Sequence, residues 1–126
     1  LEIDCAIDAV FVCHCTQCQK AQGSAFAAVA PVPTSAVRVC QGQGQMAEYR
    51  ASPLKKRVFC QRCGSPLFSA RDDLPGVLRL RVGIVNEPLP AVVASHAFCD
   101  ERALWCALPP GQPQFPGAVP AVSDAR

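Results

Sequence analysis

The chain has 126 residues, half of them hydrophobic, which is typical of a globular domain and excludes an intrinsically disordered protein. Its net charge of +2, from 12 basic and 10 acidic residues, is too small to indicate a nucleic-acid-binding or anionic-membrane-binding surface. No apolar run is long enough to span a membrane, and residues 1–12 contain no basic leader, so we expect a cytoplasmic protein. We expect one domain over residues 1–126, with its natural N-terminus upstream of Leu1, where a strand-like pattern is already in progress.

The first half of the chain predicts short strands and one short helix. Strands are expected at residues 1–4, 9–15 and 25–32, and a helical turn from Thr16 to Gln22 that ends at Gly23. The stretches Val37–Cys40 and Met46–Arg50 are expected to pair as a hairpin around the Gly42-Gln43-Gly44 turn.

The second half continues in the same way. We expect strands at residues 58–59, 66–70, 77–83, 94–98 and 103–107, with Leu78, Leu80 and Val82 inward and Arg79 and Arg81 outward. The basic run Lys55-Lys56-Arg57 is expected to be solvated surface. Residues 109–126 contain five prolines and predict an irregular strap that frays at its end. Together these elements predict an all-β, sandwich-like domain of antiparallel sheets with very little helix.

Nine cysteines are the most informative feature of the composition, and five of them form two clusters, Cys13-His14-Cys15-Thr16-Gln17-Cys18 and Cys60-Gln61-Arg62-Cys63-Gly64. In a C-x-C stretch both sulfurs lie on one side of an extended backbone, and the next two residues let the chain bring Cys18 back to the same ion. A C-x-x-C-Gly stretch forms a tight turn that points both sulfurs inward. These spacings indicate metal ligands, and thiolates favour zinc over an iron–sulfur cluster.

The remaining cysteines and the aromatic residues favour structural roles. Single cysteines are usually small core residues, so we expect Cys5, Cys40, Cys99 and Cys106 to be buried. Large aromatic side chains dominate burial, and Trp105 and Phe26 are therefore expected in the core. The two histidines, His14 and His96, are expected to be structural rather than acid catalysts.

A site made of Cys13, Cys15 and Cys18 has three protein ligands and a vacant fourth position. Three thiolates would leave zinc a weak Lewis acid, so a substrate thiol suits that position better than an activated water. The spacing alone equally allows a fourth cysteine that closes the site as a structural one.

Three stretches together resemble the glutathione-dependent formaldehyde-activating enzyme (GFA) family. They are residues 13–20, 23–26 and 59–68, with weaker echoes in residues 78–80, His96 with Phe98, Trp105, and residues 113–116. The resemblance implies a β-tent fold with two zinc ions: one at the three cysteines above, where glutathione would bind, and a structural one that includes Cys60 and Cys63. It implies a carbon–sulfur lyase reaction in which glutathione adds to formaldehyde and gives S-hydroxymethylglutathione.

The sequence departs from the family pattern at one place. The family's N-terminal C-x-C-G pair, which the resemblance would place just upstream of Leu1, is absent. Either the sequence starts after that pair, or the structural ion has lost half of its ligands. In the second case Cys60 and Cys63 could form a disulfide, stand free or recruit another thiol. Glutathione carries two carboxylates, for which Lys20 and Arg62 are candidate partners, although a solvated charged surface explains both residues as well. The alternatives to an enzyme are a zinc-stabilised binding module for a macromolecule and a glutathione carrier without turnover.

Overall fold

The computed structural model describes residues 1–120, and within that range it contains nine strands, one α-helix and four short 3₁₀ turns. The strands are β1 (Glu2–Ile3), β2 (Ala9–Cys13), β3 (Ala27–Pro33), β4 (Val37–Arg38), β5 (Met46–Ser52), β6 (Lys55–Cys60), β7 (Pro66–Arg71), β8 (Val77–Arg81) and β9 (Val92–Ala97), and helix α1 spans Thr16–Gln22. They make sheets of two and seven strands, which confirms the predicted mainly-β class. In the described range no helix has the length and apolar character needed to cross a membrane.

The chain divides into two compact units. The first contains Leu1–Ile7 and Ala30–Glu87, and the second contains Asp8–Val29 and, of the residues described, 88–120. The first unit holds the small sheet of β1 and β4 and the antiparallel run β5-β6-β7-β8. In the second unit β2 pairs with β3 in antiparallel fashion and with β9 in parallel.

In the first unit the predicted hairpin between Val37–Cys40 and Met46–Arg50 is wrong. Strand β4 pairs with β1, and β5 pairs with β6 in the register Met46 opposite Cys60. A 3₁₀ turn at Gln43–Gln45 redirects the chain after Gly42, whose φ of 77° is left-handed. A connection of only two residues joins β5 to β6, and these strands are long enough to form an extended ladder. This pairing is more favourable than the predicted one, because β4 has only two residues.

Strand β8 is buried on both faces, although its alternation predicts one solvated face. Leu80 is 2% exposed, as expected, but Arg79 and Arg81 are only 3% and 5% exposed. The outward placement of the two arginines is therefore wrong. The basic run Lys55-Lys56-Arg57 was predicted to be solvated surface. This is wrong for Lys55, which is only 3% exposed. Alternation identifies the two faces of a strand but not what covers the second one.

In the second unit, helix α1 begins two residues after the end of β2 and ends where the sequence predicted. Gly23 follows it at φ 59°, and its backbone N–H bonds to the carbonyl of Gln19. This left-handed C-cap is the conformation that glycine adopts without steric cost. The buried core residues of the unit include Val10, Val12 and Val29.

The strand predicted at residues 103–107, after β9, is also wrong. This stretch contains turns and no strand. The edge of β9 is instead occupied by the proline-rich segment: the His96 N–H donates to the Pro113 carbonyl at 2.8 Å, and the Phe115 N–H to the His96 carbonyl at 2.9 Å. Trp105 is consequently 77% exposed, and its predicted core position is wrong, whereas Phe26 is half-buried. The predicted fraying lies outside the described residues.

The single cysteines divide in the same way. Cys99 is buried as predicted and Cys106 is half-buried, but Cys5 and Cys40 are exposed, so their predicted burial is wrong. Both exposed cysteines lie next to the short strands β1 and β4, which form a two-stranded sheet too small to bury neighbouring side chains.

Candidate functional site

Three cysteine side chains of the second unit lie together and could hold a metal ion. The sulfurs of Cys13, Cys15 and Cys18 all lie within 4.8 Å of one another. Each of the three residues is fully buried, at 0% exposure. Among the residues described, this is the one group of three or more candidate ligand side chains.

The transition from strand to helix positions these sulfurs. Cys13 is the last residue of β2, and Cys15 is the N-cap of α1 in an extended conformation, with ψ 153°. Cys18 lies in the first turn of the helix, and its backbone N–H donates to the Cys15 sulfur at 3.3 Å. The Cys15 sulfur thus takes the place of the oxygen that usually caps a helix N-terminus. The six residues from Cys13 to Cys18 are therefore enough to bring the three sulfurs together.

The thiols strongly influence one another's ionisation. Hydrogen bonding to Cys15 and Cys18, together with burial, raises the pKa of the Cys13 thiol far above its ordinary value. Several negative charges in a small buried space repel one another and lack water to solvate them. Full ionisation of the cluster consequently requires a cation, which is the condition that a bound metal ion satisfies.

Apolar side chains enclose the cluster. The buried residues Ala27 and Val29 pack with the three cysteines, and Phe11 and Phe98 pack against them from positions that are partly exposed. Phe98 has a left-handed backbone, with φ 55°, and its N–H donates to the Gly117 carbonyl at 2.9 Å. This conformation costs a non-glycine residue about 1–2 kcal/mol. No sequence signal identifies Phe98 as a residue that adopts it.

Two polar side chains brace the helix that carries Cys18. The side-chain amide of Gln19 donates to the carbonyls of His14, at 2.8 Å, and Glu101, at 2.9 Å. The carboxylate of Glu101 accepts from the Thr16 backbone N–H at 3.1 Å. Sequence reasoning missed both residues, since Glu101 lies 85 positions from its partner Thr16. The position of Gln19 directly after the last cysteine of the cluster was the one sequence signal for this role.

The two histidines form a hydrogen-bonded chain beside the cysteines. His14 Nε2 lies 2.8 Å from His96 Nδ1, and His96 Nε2 lies 2.6 Å from Gln112 Oε1. The His14 ring also makes an edge contact with Phe26, with centroids 5.6 Å apart. Burial, and then electrostatic repulsion from His96 and Arg102, lower the pKa of His14 below its ordinary value of 6.5. Within the described chain His14 Nδ1 is buried and has no hydrogen-bond partner.

The second cysteine cluster forms the expected tight turn in the first unit. The Gly64 N–H bonds to the Cys60 carbonyl at 2.6 Å, and Gly64 has a left-handed φ of 83°. The Cys63 sulfur lies 3.2 Å from the Ser65 hydroxyl, which lowers the pKa of this exposed thiol. Cys60 is half-buried. No third ligand side chain of the described residues joins the pair.

The two basic residues suggested for ligand binding are both exposed. Lys20 lies in the last turn of α1 and Arg62 inside the tight turn of the first unit. A separate open cavity of about 550 Å³ lies in the second unit, lined by residues that include Arg102, Cys106 and Phe115. None of the three clustered thiols lines it.

The chain is similar in sequence to one curated protein and in fold to one solved structure. A curated protein of Emericella nidulans, which carries the provisional name glutathione-dependent formaldehyde-activating enzyme, is 36% identical over 56 residues. That match covers 44% of this chain and 28% of the relative's length, so the chain corresponds to about a quarter of that protein. The crystal structure of a Rhodobacter sphaeroides protein superposes with a TM-score of 0.53 at 26% identity, covering 64% of this chain and 72% of that one.

The family assignment rests on a longer match. The sequence model of the glutathione-dependent formaldehyde-activating enzymes matches residues 1–106, which include both cysteine clusters and every strand described above. The chain therefore belongs to the glutathione-dependent formaldehyde-activating enzyme (GFA) family.

Proposed function

We propose that the chain binds zinc at Cys13, Cys15 and Cys18 and catalyses the addition of glutathione to formaldehyde. The reaction forms a carbon–sulfur bond, the thiol proton is transferred to the carbonyl oxygen, and the product is S-hydroxymethylglutathione. In the reverse direction this is a carbon–sulfur lyase reaction. The observation that supports the proposal most directly is the meeting of three fully buried thiols within 4.8 Å, in a chain of the GFA family.

The donor set fits zinc. Three soft sulfur ligands suit Zn²⁺, and three protein ligands are typical of zinc sites that keep one position for a substrate. A zinc ion bound there would stabilise the glutathione sulfur as a thiolate at neutral pH. The raised pKa of Cys13 agrees with a cluster that needs a cation before its thiols ionise.

The residues around the cysteines keep the site rigid and dry. The Cys18 N–H fixes the Cys15 sulfur, and Gln19 ties the helix to the carbonyls of His14 and Glu101. Phe11 and Phe98 cover the cluster with apolar surface. Excluding water strengthens the electrostatic interactions within the site and disfavours hydration of the aldehyde, which competes with attack by sulfur.

Glutathione itself needs partners for its two carboxylates. We assign Lys20 and Arg62 to this role because both are exposed cations whose side chains remain accessible to a ligand. Arg62 belongs to the tight turn of Cys60 and Cys63, for which we propose a second, structural zinc ion. Two free thiols in a knuckle geometry supply two of the four ligands that such an ion needs.

The proposal is tested by zinc analysis combined with glutathione titration and a turnover assay. The wild-type protein is expected to contain zinc and to bind glutathione, and Cys18→Ser is expected to lose both the cluster's zinc and glutathione binding. Cys40→Ser is the matched control, because Cys40 is an exposed cysteine far in sequence from both clusters. Turnover is measured above the spontaneous reaction of glutathione with formaldehyde.

Three outcomes separate the alternatives. Loss of zinc and turnover in Cys18→Ser, with the control unchanged, supports the enzyme. Zinc and glutathione binding without turnover would replace the enzyme with a thiol carrier. Zinc binding with no affinity for glutathione would overturn the proposal and favour a zinc-stabilised binding module.

A further inference from the structure

One side of the second unit's sheet carries Cys13 and a single hydroxyl group. Residues that oppose each other in neighbouring strands point to the same side of a sheet, and so do residues two positions apart on one strand. Six residues of three adjacent strands therefore share the side of Cys13, which we call the cysteine face: Phe11 and Cys13 on β2, Ala27 and Val29 on β3, and Ser95 and Ala97 on β9. Ser95 supplies the hydroxyl group of this face.

A register shift in β9 turns Ser95 towards the cysteine face. Val93 lies opposite Val10. The next pair along β2 is Phe11 with Ser95, so β9 contains one extra residue at this point. Without that residue Ser95 would lie opposite Val12 and point to the other side of the sheet. Extra residues of this kind reorient side chains and are frequent next to active sites.

The Ser95 hydroxyl is buried without a partner. The residue is 4% exposed, and within the described residues its Oγ makes no hydrogen bond. A buried polar group without a partner destabilises a fold and is uncommon in native proteins. Ser69 on β7 shows the usual arrangement, because it is 0% exposed and its hydroxyl accepts from the Arg81 guanidinium at 3.1 Å. The folded chain gains nothing from the Ser95 hydroxyl, which indicates that its partner is a ligand.

Ser95 lies near the clustered thiols. The spacing of strands, and of residues along them, places the Cα atoms of Ser95 and Cys13 about 8 Å apart. Phe11, directly opposite Ser95, packs against the cysteine cluster. Phe11 is also partly exposed, so solvent reaches the cysteine face next to Ser95. A small molecule held at the sulfurs would therefore lie within reach of the hydroxyl.

We propose that the Ser95 hydroxyl donates a hydrogen bond to the aldehyde oxygen while sulfur attacks the aldehyde carbon. The inference rests on the proposed addition of glutathione to formaldehyde. In that addition a carbon–sulfur bond forms, the carbon–oxygen double bond becomes single, and the proton released by the thiol ends on the oxygen. Negative charge develops on this oxygen, and a donor fixed in a buried site stabilises it. Ser95 keeps its own proton throughout.

The first test compares Ser95→Ala with the wild-type full chain, both loaded with zinc. Because the hydroxyl has no partner in the folded chain, the urea midpoint should stay unchanged or rise. The kcat should fall about tenfold or more, since one donor to the developing charge is lost. The affinity for glutathione, measured by calorimetry without aldehyde, should not change. A serine with a purely structural role would instead lower the urea midpoint and leave kcat nearly unchanged.

A binding measurement tests the same contact without turnover. S-hydroxymethylglutathione, formed by mixing glutathione with formaldehyde, carries a hydroxyl group where S-ethylglutathione carries a methyl group. Ser95→Ala should weaken binding of the hydroxymethyl compound about threefold to tenfold, because one hydrogen bond is lost. Its affinity for S-ethylglutathione should equal that of the wild type. Ligand-observed NMR gives both affinities.

The matched control is Ser69→Ala, which removes a buried strand hydroxyl that has a partner. This variant should lose stability and keep its turnover. Unchanged kcat and unchanged binding of the hydroxymethyl compound in Ser95→Ala would overturn the role of Ser95 and leave the proposed function intact. An equal loss of stability in the two serine variants would also overturn it. Absence of turnover in the wild type would overturn the proposed function, and the role of Ser95 with it.

Discussion

The imidazole rings of His14 and His96 are hydrogen-bonded directly to each other, Nε2 to Nδ1 at 2.8 Å, and they stack with centroids 5.1 Å apart. Both rings are buried, at 1% and 5% exposure. One nitrogen of the contact must donate while the other accepts, so the rings cannot both be protonated and keep this bond. The backbone ladder already pairs β2 with β9. The hydrogen bond between the two rings adds to this pairing only while at least one ring is neutral.

This pair predicts a loss of stability in mild acid. Because the pKa of His14 is lowered below 6.5 in the folded protein, the unfolded chain binds more protons as the pH falls below 6.5. The free energy of unfolding should therefore decrease from that pH downward and level off below the folded-state pKa. Urea unfolding between pH 5 and 8 measures it. His14→Gln keeps all three thiols and should flatten the profile; an unchanged profile in this variant would contradict the assignment.

The local parts of the site follow from the sequence, and the parts that depend on tertiary contacts do not. The strand, the helix Thr16–Gln22 and its stop at Gly23 are set by neighbouring residues, so the cysteine spacing suffices to predict their meeting. The burial of Arg79 and Arg81 depends on what covers β8, which a single strand's pattern does not contain. The occupation of β9's edge by residues 113–115 likewise involves no recognisable strand signal.

The left-handed cap of the cysteine-bearing helix predicts a cost for any side chain at Gly23. A Cβ at this position would meet no atom within 4 Å, so Gly23→Ala tests the backbone conformation alone. We expect the free energy of unfolding to fall by about 1 kcal/mol. Gly44→Ala is the control, since its surroundings are equally open and its φ lies outside the left-handed region. A loss of the same size at Gly44 would show that φ is not the cause.

Replacement of Gln19 should reduce the rigidity of the proposed metal site. Gln19→Ala removes both side-chain hydrogen bonds to the His14 and Glu101 carbonyls, and should lower the free energy of unfolding by about 1–3 kcal/mol. Zinc affinity should fall with it, because the helix that carries Cys18 is less firmly held. Gln17→Ala changes an exposed glutamine of the same helix and serves as the control. Unfolding curves and competition with a zinc chelator give the two readouts, and equal behaviour of the variants would argue against the brace.

Trp105 provides a direct optical check of the C-terminal segment. It is the single tryptophan of the chain and is 77% exposed in a turn. Its fluorescence in the native protein should already be red-shifted and readily quenched by acrylamide, and should change little on unfolding. Trp105→Ser should leave the urea midpoint nearly unchanged, since little apolar area is lost from the interior. Blue-shifted, protected emission would instead place this residue in a core.

The tight turn of the first unit predicts one unusually reactive thiol. The Ser65 hydroxyl lies 3.2 Å from the Cys63 sulfur and is the first cause of its lowered pKa, because it stabilises the thiolate. In protein treated with a zinc chelator and kept reduced, iodoacetamide should therefore alkylate Cys63 appreciably below pH 9.0, the ordinary thiol pKa. Ser65→Ala should shift the pH midpoint of this reaction upward, whereas alkylation of exposed Cys5 in the same sample should not change. Peptide mapping by mass spectrometry separates the two sites.

If the midpoint for Cys63 is the same in wild type and in Ser65→Ala, the hydroxyl does not control the thiol. If added zinc then blocks alkylation of Cys63 but not of Cys5, the same experiment also shows that the turn binds metal.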